Sequence, residues 1–182
     1  MRYLVLSAVS ALLVSAGTAA MAGDFAKGAE AFDRGDHQAA LGVWNELAEQ
    51  GHPDAQFNLA IMHFEGIGVA ADPARAIDWF ERAANQGDPI AAYNLGVIHA
   101  EGNGVEQDHA LAVQWYRRAA EHDHPEAMLR LSNLYTNGLG VNQDVSQGLR
   151  LMQQAQETEC LLGETEDNHH ARLVELVTAG RH

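Results

Sequence analysis

Apolar and polar residues alternate with the period of an α-helix through most of the chain. In 53–64 the apolar positions fall at i, i+4, i+7 and i+8, and a second apolar stripe runs along 73–85. The first stripe comprises Ala55, Leu59, Met62 and His63, and the second comprises Ala76, Trp79, Phe80 and Ala83. The two segments are therefore predicted to form a helical hairpin that is buried along both stripes.

Turn-forming residues lie at the expected ends of both helices. Pro53 suits the first helical position, where its missing N–H costs nothing. Gly66 predicts the end of the first helix, and Gly68 lets the following loop adopt positive φ. Asp72, which precedes a proline, predicts the N-cap of the second helix. All 4 prolines of the chain fall at predicted helix starts.

The hairpin recurs at a fixed spacing of 36 residues. Residues 51–86 and 87–122 align without a gap and are identical at 17 of 36 positions. The landmarks that recur again in 123–158 are Pro53/Pro89/Pro125, Gly66/Gly102/Gly138, Gly68/Gly104/Gly140, Val69/Val105/Val141 and Asp72/Asp108/Asp144. A fixed period of this length indicates stacked helical hairpins that bury their apolar faces against one another. The sequence thus predicts an all-α solenoid, an architecture that usually binds other molecules rather than catalysing a reaction.

The repeat also predicts how the chain is divided. The predicted segments are a signal peptide at 1–22, an N-terminal hairpin at 23–50, repeats at 51–86, 87–122 and 123–158, and a C-terminal capping helix and tail at 159–182. The hairpin at 23–50 has a short loop at Arg34-Gly35-Asp36. Trp115 is expected to fill the core of its repeat, as Trp79 does, but Leu151 takes this position in the third repeat. Terminal repeats commonly diverge in this way because their outer face meets solvent or a cap.

The last segment contains one further amphipathic stretch. Residues 166–178 are predicted to form a helix that caps the stack. The side chains expected to face inward are Leu173, Val174, Leu176 and Val177.

The N-terminus has the layout of a secretory signal peptide. Arg2 provides a positive start, Leu4 to Ala16 form an apolar run, and Ala20-Met21-Ala22 forms a small-residue cleavage site. The alternative is an uncleaved membrane anchor, which the shortness of the run disfavours. We therefore expect an exported protein, located in the periplasm if the cell is a Gram-negative bacterium. No direct membrane insertion is expected after cleavage.

The charge of the chain argues against nucleic acid and anionic membrane surfaces as partners. The formal net charge is −14, with 25 acidic residues against 11 Lys and Arg, and cleavage after Ala22 would remove only Arg2 from this balance. So acidic a surface is repelled by nucleic acid and by anionic lipid headgroups. The single cysteine, Cys160, can form no internal disulfide. It could be a free thiol or form an intermolecular link, but we expect a partly buried, inert residue.

The repeat resembles a known sequence family. Its pattern A-x-x-x-L-[GA]-x-x-[YH]-x-x-G-x-G-V-x-x-D-x-x-x-A-x-x-W-x-x-x-A-A covers Ala55–Ala84 and Ala91–Ala120 well and Ala127–Ala155 in part. It is similar to the Sel1-like repeat of the tetratricopeptide superfamily. The N-terminal hairpin is closer to an ordinary tetratricopeptide unit. The departures are Ala60 and Ser132 in place of glycine, His63 and His99 in place of tyrosine, and Leu151 in place of tryptophan.

The resemblance implies a right-handed superhelix in which the first helix of each pair lines a concave groove. Exported relatives commonly act as adaptors or regulators of envelope and signalling complexes. The implied partners are therefore envelope or secreted proteins, a segment of which would bind in the groove. A cysteine-rich branch of the family is associated with β-lactam binding or hydrolysis, but this chain lacks the paired cysteines of that branch.

If the first helices line a groove, their exposed side predicts the binding residues. The predicted set is Asp54, Phe57, Asn58 and Ile61, then Ile90, Tyr93, Asn94 and Val97, and finally Glu126, Leu129, Arg130 and Asn133. Asn58 and Asn94 fall where tetratricopeptide proteins often hold a peptide main chain or carboxylate. An amide suits this role because it donates and accepts at once. Phe57 and Tyr93 would add apolar contact area. The alternative is a solvated helix face with no ligand.

Catalytic and metal-binding patterns are weak in this sequence. His169-His170, with nearby acids and Cys160, could form a metal site, but adjacent helical residues diverge by about 100° and rarely chelate one ion. Paired acids such as Glu46 and Glu49 are expected on a solvated helix face. No nucleotide-binding glycine loop or nucleophile elbow is present. We therefore predict no cofactor and no enzyme. The alternative is a cell-wall-related hydrolase or a binder of peptidoglycan or β-lactam compounds.

Overall fold

A computed structural model describes residues 23–162 and shows that this part of the chain is all-α. The predicted signal peptide, the predicted capping helix at 166–178 and the pair His169-His170 lie outside the described residues. The described helices are α1 (23–33), α2 (His37–Glu49), α3 (Pro53–Glu65), α4 (Pro73–Asn85), α5 (Pro89–Glu101), α6 (His109–Ala120), α7 (Pro125–Asn137) and α8 (Val145–Leu162). Both predicted helices of each repeat are present, as α3 and α4, α5 and α6, and α7 and α8, and each of the four prolines is the first residue of a helix.

The chain divides into two compact units, one ending at Trp79 and the other beginning at Phe80. In the first unit α2 packs against α3, and buried Trp44 lies at the centre of an aromatic cluster. The Trp44 ring lies 6.0 Å from the Phe25 ring and 5.6 Å from the Phe32 ring. Gly28 makes this packing possible, because a Cβ there would lie 2.3 Å from Trp44 Nε1.

In the second unit each helix packs against the next, from α5 through α8. The core tryptophan of the repeat, Trp115, is buried as predicted, and so is Leu151 at the matching position of the third repeat. Ser132 also replaces a family glycine without loss of packing. Its hydroxyl donates a 2.7 Å hydrogen bond to the carbonyl oxygen of Gly148 on α8.

The loops between paired helices share one geometry. Gly66, Gly102 and Gly138 end their helices in the left-handed region, with φ of 72°, 72° and 68°. Each loop is then closed by a backbone hydrogen bond from the capping aspartate, as in Asp72 N–H to His63 O at 2.7 Å and Asp144 N–H to Tyr135 O at 2.9 Å. The carboxylates of Asp72, Asp108 and Asp144 accept from the first turn of the next helix. The predicted stops and caps are therefore confirmed.

Two features of the last helix differ from expectation. α8 has 18 residues and continues past residue 158, where the third repeat was predicted to end. Cys160 is an exposed free thiol rather than a partly buried residue.

Candidate binding surface on the first helices of the repeats

The first helix of the first repeat, α3, presents no open binding face. Nine consecutive residues from Ala55 to His63 are buried, which covers more than two helical turns and so every side of the helix. Phe57 and Asn58 are only 1% and 6% exposed, and Ile61 is buried with them. The prediction that these three side chains line an exposed groove was wrong. Asp54, in the first turn, is half-buried.

A neighbouring polar residue that the sequence analysis missed has a structural role. Gln56 is buried, and its side-chain amide donates a 3.0 Å hydrogen bond to the carbonyl oxygen of Ala48 near the end of α2. The same carbonyl oxygen also accepts the Gly51 backbone N–H at 3.0 Å, so Gln56 provides its second hydrogen bond and ties α3 to the end of α2. A glutamine within an otherwise apolar helical segment was the signal that could have identified it.

The first helices of the second and third repeats do present side chains to solvent. On α5 the predicted residues are half-buried, and on α7 they are exposed. The two helices also contact each other within the second unit. We refer to their shared surface as the α5–α7 face, which comprises Ile90, Tyr93, Asn94, Val97, Glu126, Leu129, Arg130 and Asn133.

Tyr93 lies at the centre of the α5–α7 face. Its ring stacks on His124, with centroids 4.8 Å apart and an interplanar angle of 15°, and it contacts the Tyr116 ring at 5.9 Å. Tyr116 reaches this position because Gly96 has no side chain: a Cβ there would lie 2.5 Å from the tyrosine ring. The sequence analysis had not assigned Tyr116 or His124 to the site, although Gly96 occupies the small-residue position of the family pattern.

Arg130 provides a fixed positive charge on this face. The Tyr93 side chain beside it raises the pKa of Arg130. Partial burial opposes this shift, and the Glu101 carboxylate adds a smaller contribution that raises the pKa. Burial raises the pKa of the Tyr116 hydroxyl, so that Tyr116 stays neutral. A guanidinium carries five N–H donors, so Arg130 can lie beside Tyr93 and still donate to a partner.

His124 supports the site as a neutral helix cap. Burial lowers its pKa, and the nearby carboxylates of Glu126 and Asp88 oppose this shift only in part. Its Nδ1 accepts the Ala127 backbone N–H at 3.3 Å. The same atom lies 3.2 Å from Glu126 Oε2, but a neutral ring with Nδ1 as acceptor forms no ion pair there. His124 therefore fixes the start of α7 and the Tyr93 ring at neutral pH.

The two asparagines of the face keep part of their hydrogen-bonding capacity. Asn94 Nδ2 donates 2.8 Å to the Ile90 carbonyl oxygen, and Asn133 Oδ1 accepts from Asn137 at 3.3 Å. Within residues 23–162, the amide oxygen of Asn94 and the amide N–H groups of Asn133 have no partner. One acceptor and one set of donors thus remain, which is the pairing that a peptide main chain requires.

A further depression lies on the second unit, outside the α5–α7 face. A surface depression of about 650 Å³ is lined by Arg117, Tyr135 and the loop 141–145, and the Arg117 guanidinium donates to the Tyr135 hydroxyl. It shares no residue with the α5–α7 face. Among residues 23–162, no three His, Cys, Asp or Glu side chains are grouped as a metal site would require. Glu46 and Glu49 are exposed on α2, as predicted.

None of the described helices is both long enough and apolar enough to cross a bilayer.

Comparison with known proteins agrees with the repeat geometry. The family model described as Sel1 repeat matches residues 53–88, 89–124 and 125–155. The chain belongs to the Sel1 repeat family. Sel1 repeat proteins generally mediate protein–protein interactions, and their fold is typically a non-enzymatic α-solenoid scaffold. No curated protein matches the chain at a significant level.

Two solved structures resemble this Sel1 repeat protein. One is a Sel1 repeat protein from Oxalobacter formigenes, with a TM-score of 0.68 and 29% sequence identity over 72% of this chain and 54% of the other. The second is a protective antigen present in uropathogenic Escherichia coli strains that displays an SLR fold. It gives a TM-score of 0.54 and 26% identity over 78% of this chain and 39% of the antigen. The chain thus spans about half, or less, of the length of either relative.

Proposed function

We propose that this Sel1 repeat protein is an interaction module that binds an extended or helical segment of a partner protein on its α5–α7 face. The observation that carries the proposal is the position of Arg130 beside Tyr93, which places a cation next to an aromatic side chain on an otherwise strongly acidic chain. Arginine and tyrosine are the residue types most often found at the energetic centres of protein interfaces. The partner segment would place a carboxylate or carbonyl oxygen on Arg130.

The remaining residues of the face would supply main-chain recognition and apolar area. Asn94 offers an acceptor and Asn133 offers donors. Leu129, which is 39% exposed, and half-buried Val97 would cover the partner's apolar side chains. The proposal excludes Phe57 and Asn58 because both are buried.

We further propose that the protein is exported and acts as an adaptor or regulator of envelope or secreted proteins. Support comes from the apolar run Leu4 to Ala16, which is followed by the small-residue cleavage site Ala20-Met21-Ala22. The mass of the protein purified from its native cell should correspond to a chain that begins at Gly23. A full-length mass, or recovery from the cytoplasm alone, would contradict export.

The binding proposal is tested by affinity capture from intact cells after cross-linking. The tagged wild type is compared with a triple variant, Asn94→Ala/Arg130→Ala/Asn133→Ala, whose changes lie at half-buried or exposed positions. Truncating an interface centre typically costs about 2 kcal/mol or more, so the variant should recover at least about tenfold less partner.

The matched control changes similar residues outside the α5–α7 face. Gln114→Ala/Arg150→Ala removes one amide and one guanidinium from exposed positions on α6 and α8. This control should retain the partner, and all three proteins should melt alike. Equal recovery by the triple variant would refute the proposed face. If no protein is captured by any of them, the small-ligand and cell-wall hydrolase alternatives would be favoured instead.

A further inference from the structure

The last described helix exposes an apolar stripe that its own hairpin does not use. Val145, Leu149 and Met152 lie at i, i+4 and i+7 on α8 and are 48%, 55% and 40% exposed. A different stripe of the same helix, formed by Gly148, Leu151 and Ala155, is buried. Residues at i, i+4 and i+7 share one side of a helix, so the three exposed side chains form one continuous apolar strip.

Comparison with the matching positions on α6 shows that the α8 stripe lacks a neighbouring helix within residues 23–162. The positions 36 residues earlier on α6 are His109, Val113 and Tyr116. Val113 and Tyr116 are each only 2% exposed. α6 packs against the helix before it, α5, and against the helix after it, α7, whereas α8 packs against α7 before it. Tyr116 packs on Gly96 of α5, but α6 as a whole lies between two neighbouring helices. The α8 stripe lies at the same positions on a helix that packs, among the described residues, against a preceding helix only.

We propose that the chain's own C-terminal segment, 163–182, covers the α8 stripe. Twenty residues follow Leu162, and within them 166–178 carries an apolar stripe of Leu173, Val174, Leu176 and Val177. The predicted helix has the length of α3, α5 and α7, each of which has 13 residues. Its apolar side would pack on the α8 stripe as α7 packs on α6, and Glu175 and Ala171 would face away.

Two physical arguments favour this segment over a second copy of the protein. The segment is joined directly to the end of α8, so its effective concentration at the stripe is set by a short connection, on the order of millimolar. Two copies would each bring a net charge of −14, and like charges oppose association. This inference does not depend on the proposed binding function, because Val145, Leu149 and Met152 do not belong to the α5–α7 face.

The test measures how fast a thiol placed on the stripe reacts with a maleimide. In the chain 23–182 with Cys160→Ser, Leu149→Cys is compared with Gln154→Cys. Gln154 is exposed, and its counterpart on α6, Arg118, stays exposed even though a following helix covers that helix. A covered position reacts only through local opening, so Leu149→Cys should react at least about tenfold more slowly than Gln154→Cys.

A second substitution identifies the covering segment. Leu173→Asp should raise the maleimide reaction rate of the Leu149→Cys thiol, because it displaces the covering segment. It should leave the reaction rate of Gln154→Cys unchanged. Ala171→Asp introduces the same charge on the polar side of the predicted C-terminal helix, so it should leave the reaction rate of the Leu149→Cys thiol unchanged. An unchanged Gln154→Cys rate and melting temperature would show that Leu173→Asp leaves the stack folded.

Three outcomes would overturn the proposal. Equal reaction rates at positions 149 and 154 would show that the stripe is uncovered. Protection that weakens on dilution, together with a dimer in light scattering, would assign the stripe to a second copy. Protection that Leu173→Asp fails to release would show that the C-terminal stripe is not what covers α8.

Discussion

At the scale of single residues, glycines decide where side chains can pack. Gly96 lies against the Tyr116 ring, where a Cβ would approach ring carbons to 2.5 Å, whereas a Cβ at Gly42 on α2 would meet nothing within 4 Å. Neither glycine has positive φ. The same substitution should therefore have opposite effects at the two positions.

The first prediction compares these two glycines. Gly96→Ala should destabilise the protein by about 1–3 kcal/mol, because the added methyl group overpacks the contact with Tyr116. Gly42→Ala should stabilise it by about 0.5–1 kcal/mol through helix propensity and a less flexible unfolded chain. Chemical denaturation of both variants checks the signs. Equal effects would show that Tyr116 does not pack on Gly96.

The second prediction concerns two buried histidines. Burial lowers the pKa of both His63 and His99 below the ordinary value of 6.5. His63 Nδ1 and His99 Nε2 have no hydrogen-bond partner among the described residues. The unfolded chain therefore binds more protons below pH 6.5 than the folded chain does, and stability falls as the pH drops through the folded pKa values.

Melting temperatures between pH 7.5 and pH 5 measure this effect. A His63→Phe/His99→Phe variant should lose less stability on acidification than the wild type, because phenylalanine does not titrate. His124, whose pKa burial also lowers, leaves some pH dependence in the variant. His122→Gln, a change at an exposed position, serves as control and should keep the wild-type slope. If the melting temperatures of all three proteins fell equally with pH, the pH dependence would not come from His63 and His99.

Sequence reasoning at this scale was right about helix faces and partly wrong about exposure. The spacing correctly grouped Ala55, Leu59 and Met62 as core, yet the side of α3 assigned to a ligand is buried as well. Periodicity shows which residues share a helix side, but not how many sides the neighbouring elements cover. Tyr116 was missed for a related reason, because its contact with Tyr93 depends on how α5 and α6 pack, and the two residues lie 23 positions apart in sequence.

At the scale of elements, the loop glycines fix how one hairpin meets the next. Gly140 has φ of 68°, and a Cβ there would lie 2.3 Å from the carbonyl carbon of His109 at the start of α6. Gly68 has the same relation to His37 at the start of α2, within the first unit. The second glycine of the loop pattern therefore serves both the turn and the close approach of a neighbouring helix.

The third prediction separates these two roles. Gly35→Ala introduces a methyl group at φ of 79°, and no other atom lies within 4 Å of it. The free energy of unfolding should therefore fall only by the cost of the left-handed backbone, about 1–2 kcal/mol. Gly140→Ala should cost about 1–3 kcal/mol more, because the methyl group also meets backbone atoms that cannot move aside easily. Equal losses in denaturation would show that the approach to α6 carries no energetic weight.

The fourth prediction concerns the repeat core. Trp115→Ala should reduce the free energy of unfolding by about 3–5 kcal/mol, because it removes a buried ring and leaves a cavity. The same loss is expected for Trp79→Ala in the preceding repeat. Leu129→Ala, at a partly exposed position of α7, should change stability by about 0.5 kcal/mol or less and serves as control. Unchanged melting of the tryptophan variants would contradict the repeat register.

At the scale of the whole molecule, the fold could be predicted because the same signals for helix starts and ends recur in each repeat. Three copies of the same proline, glycine and aspartate positions specified helix starts, stops and caps, and each was confirmed where it is described. The binding surface could not be predicted equally well, because the copies differ in what surrounds them. The middle of α3 is buried on every side, whereas α5 and α7 present side chains to solvent. The length of α8 also lay outside the repeat pattern, since no later copy constrains it.

The most direct test of the account is site-specific photo-cross-linking in living cells. A photoreactive residue is placed at Asn94 or Asn133 on the α5–α7 face, and at Gln114, an exposed position of α6, as control. The account predicts that positions 94 and 133 form an adduct with the same partner protein and that position 114 does not. An adduct at position 114 alone, or equal adducts at all three positions, would contradict binding on the α5–α7 face.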